Sequence, residues 1–387
     1  IRLTFASSSP DGHVFRLPAL WFRDACPCSV CVSESSGQKR FVTCDVDASP
    51  ETESCRVLED GSLEIVWAHD FLQGGQHPSV YDTDFIRRLL QETMLPELYT
   101  PARLLWDRAT FARDMDARAI SYSDWMGGGP SFARAFRDLM RWGLVFVKGV
   151  PETEAAVLDI ASKVGHLQST FYGLTWDVVS KPNAENAAYT SEFLCLHQDL
   201  MYWTPAPRIQ LLHCLKNECE GGESLFSDGL RAAAEIQLKN PEHYHLLRTE
   251  PVAYQYSKNG NFYRRTRPVI RTQSSALDAP PKDVSWSPPF QGVFPPDRPE
   301  EGYQAMNQKN CQTLPAWRSA ARSFRDSLEA DKNMLQYRLQ PGDCVVFDNR
   351  RILHGRTRFD TASGHRRLRG TYLDTQTLTS ALTRLVK

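Results

Sequence analysis

"YTSEFLCLHQDLMYW", residues 189–203, sets His197 and Asp199 two positions apart among aromatic side chains. On an extended backbone residues i and i+2 point to the same side, so this pair reads as half of a metal site. A His-x-Asp by itself also occurs in solvated loops, so the reading depends on a third ligand far down the chain. "VVFDNRRILHGR", residues 345–356, supplies a candidate in His354, which follows a β-rich run. Twelve residues later Arg366 opens the last predicted strand. Its guanidinium suits a two-pronged grip on a carboxylate. Two imidazoles and one carboxylate on one face leave three coordination positions open, the arrangement of non-haem iron(II) oxygenases. The ordered set is far more specific than any of its parts.

The elements around this pair define the fold class. Before it, "PSFARAFRDLMRWG" has helical spacing and is closed by Gly143, and "LVFVKGV" reads as a strand. "ETEAAVLDIASKVG" is a second amphipathic helix, ended by Gly165 as a C-terminal glycine. After it, "RIQLLHCLKNECEGGESLFSDG" reads as two strands joined in a hairpin across Gly221-Gly222, and "LRAAAEIQLKN" as a short helix. The stretch 273–300, rich in proline and serine, is expected to be an irregular insertion or lid. "MLQYRLQPGDCVVFDNRRILHGRTRF" and "RRLRGTYLD" close the chain as strands. Helices first and many strands after predict a mainly β fold with flanking helices, a sheet sandwich or jelly roll.

Residues 1–98 read as a separate small β-rich domain and 99–387 as the larger one, with the boundary in "MLPELYTPARLLW". "HVFRLPALWFRDA" and "GSLEIVWA" are its predicted strands. "DTDFIRRLLQET" is a helix with Asp84 or Thr83 as its N-cap. "CPCSVC" presents Cys26, Cys28 and Cys31 within one turn. Three soft ligands this close suit a tetrahedral structural zinc with one nitrogen more, from His69 or His77. The alternative is three buried thiols that bind nothing.

At 387 residues, 41% hydrophobic and 24% charged, the chain can bury a large core and carry a small second domain. A formal net charge of −1 gives no handle for nucleic acid or an anionic membrane. No apolar run approaches the roughly 18–20 residues of a membrane-spanning helix. Seven further cysteines are scattered, which reads as reduced thiols in a cytoplasmic protein. The chain begins without methionine, which is compatible with a removed targeting segment.

"HQD", "GDCVVFDN", "LHGR" and "HRRLRGTY" resemble the 2-oxoglutarate-dependent iron(II) dioxygenases of the taurine-dioxygenase-like superfamily. Within it the chain is similar to the γ-butyrobetaine and trimethyllysine dioxygenases, from "LWFRDACPC" through "FYGLTW", "IQLLHC" and "GGESLFSDG" to "GTYLD". The resemblance implies a double-stranded β-helix with iron on His197, Asp199 and His354. It places the distal carboxylate of 2-oxoglutarate on Arg366, with Leu212 lining that pocket, and favours His77 over His69 on the zinc. It also implies O2 as oxidant, ascorbate as reductant, a homodimer, and a small betaine substrate hydroxylated while 2-oxoglutarate is split to succinate and carbon dioxide. Tyr172, Trp176, Tyr189 and Tyr372 match rings that cage a trimethylammonium group, and Asn186 matches an asparagine near the substrate carboxylate. A quaternary ammonium has no N–H to donate, so aromatic faces are the means of recognising it. Two features depart from the pattern: prolines stand in "VSWSPPFQGVF", where an asparagine-rich segment is expected, and Gln198 separates the first two ligands in place of a small polar residue.

Overall fold

A computed structural model describes residues 2–4, 14–72, 74–89, 102–181, 186–276, 278–294 and 309–386. The chain divides into two compact units, Ile1–Leu98 and Tyr99–Lys387. Most of the stretch read as a linker, 94–101, lies outside the described residues.

In the first unit, strands Thr52–Val57, Leu63–Trp67 and His77–Tyr81 form an antiparallel sheet. The middle strand alternates, so Leu63, Ile65 and Trp67 enter the core. The predicted strand "HVFRLPALWFRDA" is only partly one. Val14–Arg16 is extended, but Pro18 ends that run and caps a helix, Ala19–Asp24. Pro18 stands at the N-cap with extended backbone, and its carbonyl accepts from the Trp21 N–H at 3.1 Å. The helix buries Phe22 edge-on against Tyr81, whose hydroxyl donates to the Phe22 carbonyl at 2.6 Å. The helix 83–89 is capped by Asp82, whose carboxylate accepts from the Phe85 amide, rather than by Thr83 or Asp84. A capping oxygen must reach the amide three positions on, and Asp82 meets that condition.

The second unit is a sandwich of two sheets. The larger runs, in spatial order, Ala119–Ser121, Leu144–Lys148, Cys344–Asp348, Ile209–Asn217, Arg366–Leu373 and Thr175–Val178. The smaller runs Met334–Tyr337, Ser224–Asp228, Ile352–Arg356 and Leu194–His197. All these pairs are antiparallel except Ala119–Ser121 with Leu144–Lys148. Leu212, Val345, Phe347 and Leu368 of one sheet pack on Phe226, Leu335 and Ile352 of the other. This is the expected jelly roll. Helices Gly129–Trp142 and Ala156–Val164 pack against the larger sheet through Phe136, Leu139, Ile160 and Val164.

Three sequence expectations change. Gly221-Gly222 does not close a hairpin: Ile209–Asn217 lies in the larger sheet and Ser224–Asp228 in the smaller, so the glycines carry the chain between layers. Gly221 has φ +78°, and a side chain there would meet the Arg358 carbonyl at 2.3 Å. Gly165 is the C-cap of its helix as expected, but with extended rather than left-handed backbone; glycine is required there because a Cβ would lie 2.0 Å from Thr377 Cγ2. Finally, within 273–300 the segment 279–292 is anchored to its surroundings, while 273–276 and 278 are exposed. Pro281–Val284 pairs with Ile270–Thr272, and 284–292 is tied down by Val284 N–H to Arg350 O, Ser285 N–H to Val269 O and Gly292 N–H to Ala253 O. Residues 295–300 lie outside the described residues. Among the described residues, no helix is long and apolar enough to cross a membrane.

Candidate active site

His197 ends the strand Leu194–His197, and His354 sits inside Ile352–Arg356, directly opposite it in register. Sheet pairing therefore joins two residues that lie far apart in sequence. Their ring centroids are 4.4 Å apart. Asp199 lies past the strand, in a turn whose next residue, Leu200, has φ +57°. Its orientation comes from the turn and not from strand alternation. Asn349 fixes that turn: its Oδ1 accepts from the Asp199 N–H at 2.9 Å and its Nδ2 donates to the Asp199 carbonyl at 3.0 Å. His197 Nε2 is 3.4 Å from Asp199 Oδ1, His354 Nε2 is 3.9 Å from Oδ2, and one ligand atom from each residue lies within 4.8 Å of the others.

The electrostatics suit a metal. His197 Nδ1 lies 2.9 Å from the Cys195 carbonyl, which fixes the proton on Nδ1 and frees Nε2 as a ligand. Burial pushes the His354 imidazole down to about 3, so the ring is neutral. Burial would raise the Asp199 carboxyl, but its contacts with His197 and His354 and the Tyr372 hydrogen bond outweigh it and hold the group well below the usual carboxylate range. Tyr372 Oη (2.8 Å) and Gln210 Nε2 (2.7 Å) both donate to Asp199 Oδ2, leaving Oδ1 the freer oxygen.

These residues open into a cleft. Arg366 and Leu212 line it, as do Tyr172, Trp176, Asn186, Tyr189 and Tyr372. Arg366 is buried, makes no ion pair among the described residues, and its Nε has no hydrogen-bond partner. Burial pulls its guanidinium down to about 10. A buried cation without a counter-ion is costly, and a carboxylate entering the cleft would supply one. The four rings are not four equal open faces. Trp176 stacks on Tyr372 at 4.1 Å and 27°. Lys181 Nζ sits 4.6 Å from the Tyr189 centroid, and Asn186 Nδ2 donates to the Tyr172 hydroxyl at 3.1 Å.

Sequence reading assigned no role to Gln210, Asn349, Tyr202 or Phe290. Gln210 was within reach, because it lies two residues before Leu212 on one strand and so faces the same side. Tyr202 and Phe290 line the cleft because of how loops fold back, which no local pattern encodes.

In the first unit Cys26, Cys28 and Cys31 Sγ lie 3.4, 3.6 and 3.5 Å from His77 Nε2. Tetrahedral zinc bonded at about 2.3 Å to sulfur and about 2.0–2.1 Å to nitrogen sets S···N at about 3.5 Å. The four residues thus have the shape of a zinc cradle. His69 is exposed and apart from it. Behind His77, Asp70 Oδ2 lies 3.8 Å from Nδ1 and also accepts from Arg23 Nε at 2.8 Å.

The comparisons with known proteins agree with this architecture. Residues 4–87 match the "Gamma-butyrobetaine hydroxylase-like, N-terminal" family. "Dioxygenase str8" of Strobilurus tenacellus is 32% identical, covering 97% of this chain and 88% of that protein. A gamma-butyrobetaine dioxygenase of Pseudomonas sp. (strain AK-1) is 30% identical (96% and 91%), and the mitochondrial trimethyllysine dioxygenase of Rattus norvegicus 26% (96% and 82%). The crystal structure of asparagine oxygenase has the same fold, with a TM-score of 0.50 at 18% identity over 76% of this chain and 91% of that one. Residues 107–372, which hold the His197–Asp199–His354 cluster and Arg366, match the family "Taurine catabolism dioxygenase TauD, TfdA", and the chain belongs to that family.

Proposed function

We propose that this protein is an iron(II)- and 2-oxoglutarate-dependent hydroxylase of a small trimethylammonium carboxylate. γ-Butyrobetaine, giving L-carnitine with succinate and carbon dioxide, is the first candidate substrate. The observation that carries the reading is the company the metal cluster keeps: one cleft is lined by His197, Asp199 and His354, by Arg366, which makes no ion pair among the described residues, and by an aromatic group with Asn186. Relatives named gamma-butyrobetaine dioxygenase and trimethyllysine dioxygenase support it. Trimethyllysine or another betaine is the alternative. Demethylation of N-methyl-lysine ranks below both, since it would put the N-methyl group at the metal and release formaldehyde.

Two imidazoles and a carboxylate fit iron(II) with positions left open, and Arg366 fits the distal carboxylate of 2-oxoglutarate. When bound, the pair supplies the power to insert one oxygen atom of O2 into a C–H bond. The chain's own contribution is placement. The Cys195 carbonyl sets the His197 tautomer, Tyr372 and Gln210 orient Asp199, and Arg366 and Leu212 fix the far end of the cosubstrate. The rings hold the cationic head group, at about 0.5–2 kcal/mol per well-placed face. The test is turnover by the purified protein with iron(II), ascorbate and 2-oxoglutarate. Succinate should appear in step with hydroxylated γ-butyrobetaine or trimethyllysine. Absence of succinate with every quaternary amine would overturn the reading.

A further inference from the structure

Gln198, between the first two metal-cluster residues, is fully buried, and its side chain does not enter the cleft. Both ends of its amide are used. Nε2 donates to the Asn349 carbonyl at 2.5 Å, and Oε1 accepts from the Trp286 N–H at 2.8 Å. Its backbone N–H donates to the Trp286 carbonyl at 2.9 Å. Gln198 thus holds Trp286 on both sides of its peptide, as a strand neighbour would, although neither residue lies in a strand. Four positions beyond Trp286, after Ser287-Pro288-Pro289, Phe290 closes a short 3-10 turn through its N–H to the Ser287 carbonyl at 3.0 Å. Phe290 lines the cleft, edge-on to Tyr202 at 5.2 Å.

We propose that Phe290 is a specificity-determining wall of the substrate side of the cleft, and that Gln198 is the positioning residue that sets this wall relative to the metal cluster. Two prolines leave the 286–290 segment few ways to move, so a displacement of Trp286 is passed to the Phe290 ring. A short side chain at 198 cannot span from Asn349 to Trp286, which accounts for glutamine at this position. The ligand class is an onium or apolar group, since Phe290 and Tyr202 offer faces and edges but no charge.

This proposal rests on the hydroxylase reading, and its test separates the two. One readout needs no substrate: hydrogen exchange of the amides of 284–287 and 290, residues 288 and 289 being prolines without one. Gln198→Ala should speed it at least tenfold, while Phe290→Ala leaves it unchanged. The second is calorimetric binding of γ-butyrobetaine and 2-oxoglutarate to the oxygen-free, manganese(II)-loaded protein. Both variants should weaken γ-butyrobetaine about tenfold and leave 2-oxoglutarate within twofold, and Gln198→Glu, which keeps the acceptor for Trp286, should fall between. Unchanged exchange in Gln198→Ala, or wild-type γ-butyrobetaine affinity in Phe290→Ala, overturns the proposal. Lack of γ-butyrobetaine binding by the wild-type protein would count against γ-butyrobetaine as the substrate; the same comparison is then read with trimethyllysine, and exchange still decides the role of Gln198.

Discussion

Among its described residues the molecule carries two clusters of metal-ligand side chains, and they differ in what they leave open. Cys26, Cys28, Cys31 and His77 supply four donors around one point, spaced as a tetrahedral ion requires. Nothing remains for a substrate. His197, Asp199 and His354 supply three, and the free side faces a cleft lined by Arg366 and aromatic rings. The count of protein ligands separates a folding device from a reactive one. The supports differ too. Asp70, held by Arg23, stands 3.8 Å behind His77 Nδ1 without a hydrogen bond to it, whereas Tyr372 and Gln210 pin one oxygen of Asp199 and leave the other freer.

The contrast can be broken most directly at the open cluster. His354→Ala should abolish succinate formation, a loss on the order of a thousandfold or more in turnover, while the melting of the first unit is unchanged. Turnover within tenfold of wild type would remove iron from the reading. At the closed cluster, Cys26→Ser or dialysis against a strong chelator should unfold residues 14–89. Structural zinc contributes roughly 10 kcal/mol or more to small domains that depend on it. Circular dichroism and limited proteolysis would detect this, and an unaltered first unit would mean the thiols hold no ion.

Smaller effects sharpen the comparison within the cleft. Arg366→Ala removes a charge-assisted grip of about 1.5–3 kcal/mol, so the KM for 2-oxoglutarate should rise about 10–150-fold with little change in the KM for the betaine. Trp176→Ala should cost about 0.5–2 kcal/mol in binding a trimethylammonium substrate, a few-fold to about 30-fold in Kd. The same loss for a neutral tert-butyl isostere would show that the ring contributes only apolar contact.

How much of this was legible beforehand depended on the range of the information. The helix 129–142, the strands around Leu63 and Leu144, and the strand opened by Arg366 follow from local periodicity and chain punctuation. The short helix at Ala19–Asp24 was missed because its apolar residues also fit an alternating strand, and only packing of Phe22 on Tyr81 decides the matter. Gly221-Gly222 carried the right turn chemistry, but turn chemistry does not say which sheet the next strand joins. The stretch 273–300, expected to be an irregular insertion or lid, holds the short strand Pro281–Val284 and a following segment anchored by distant partners such as Gln198, neither of which a proline-rich composition reveals.

The sequence alone determined the donor types, their order along the chain, and the arginine placed after them, because side-chain chemistry is local to each residue. Only the tertiary structure decided that His354 pairs with His197, that Tyr372 spends its hydroxyl on Asp199 while Trp176 covers its ring, and that Gln198 reaches away from the cleft to hold Trp286. These are contacts between segments brought together by sheet register and core packing. Their geometry is set by the fit of the whole and not by any short pattern.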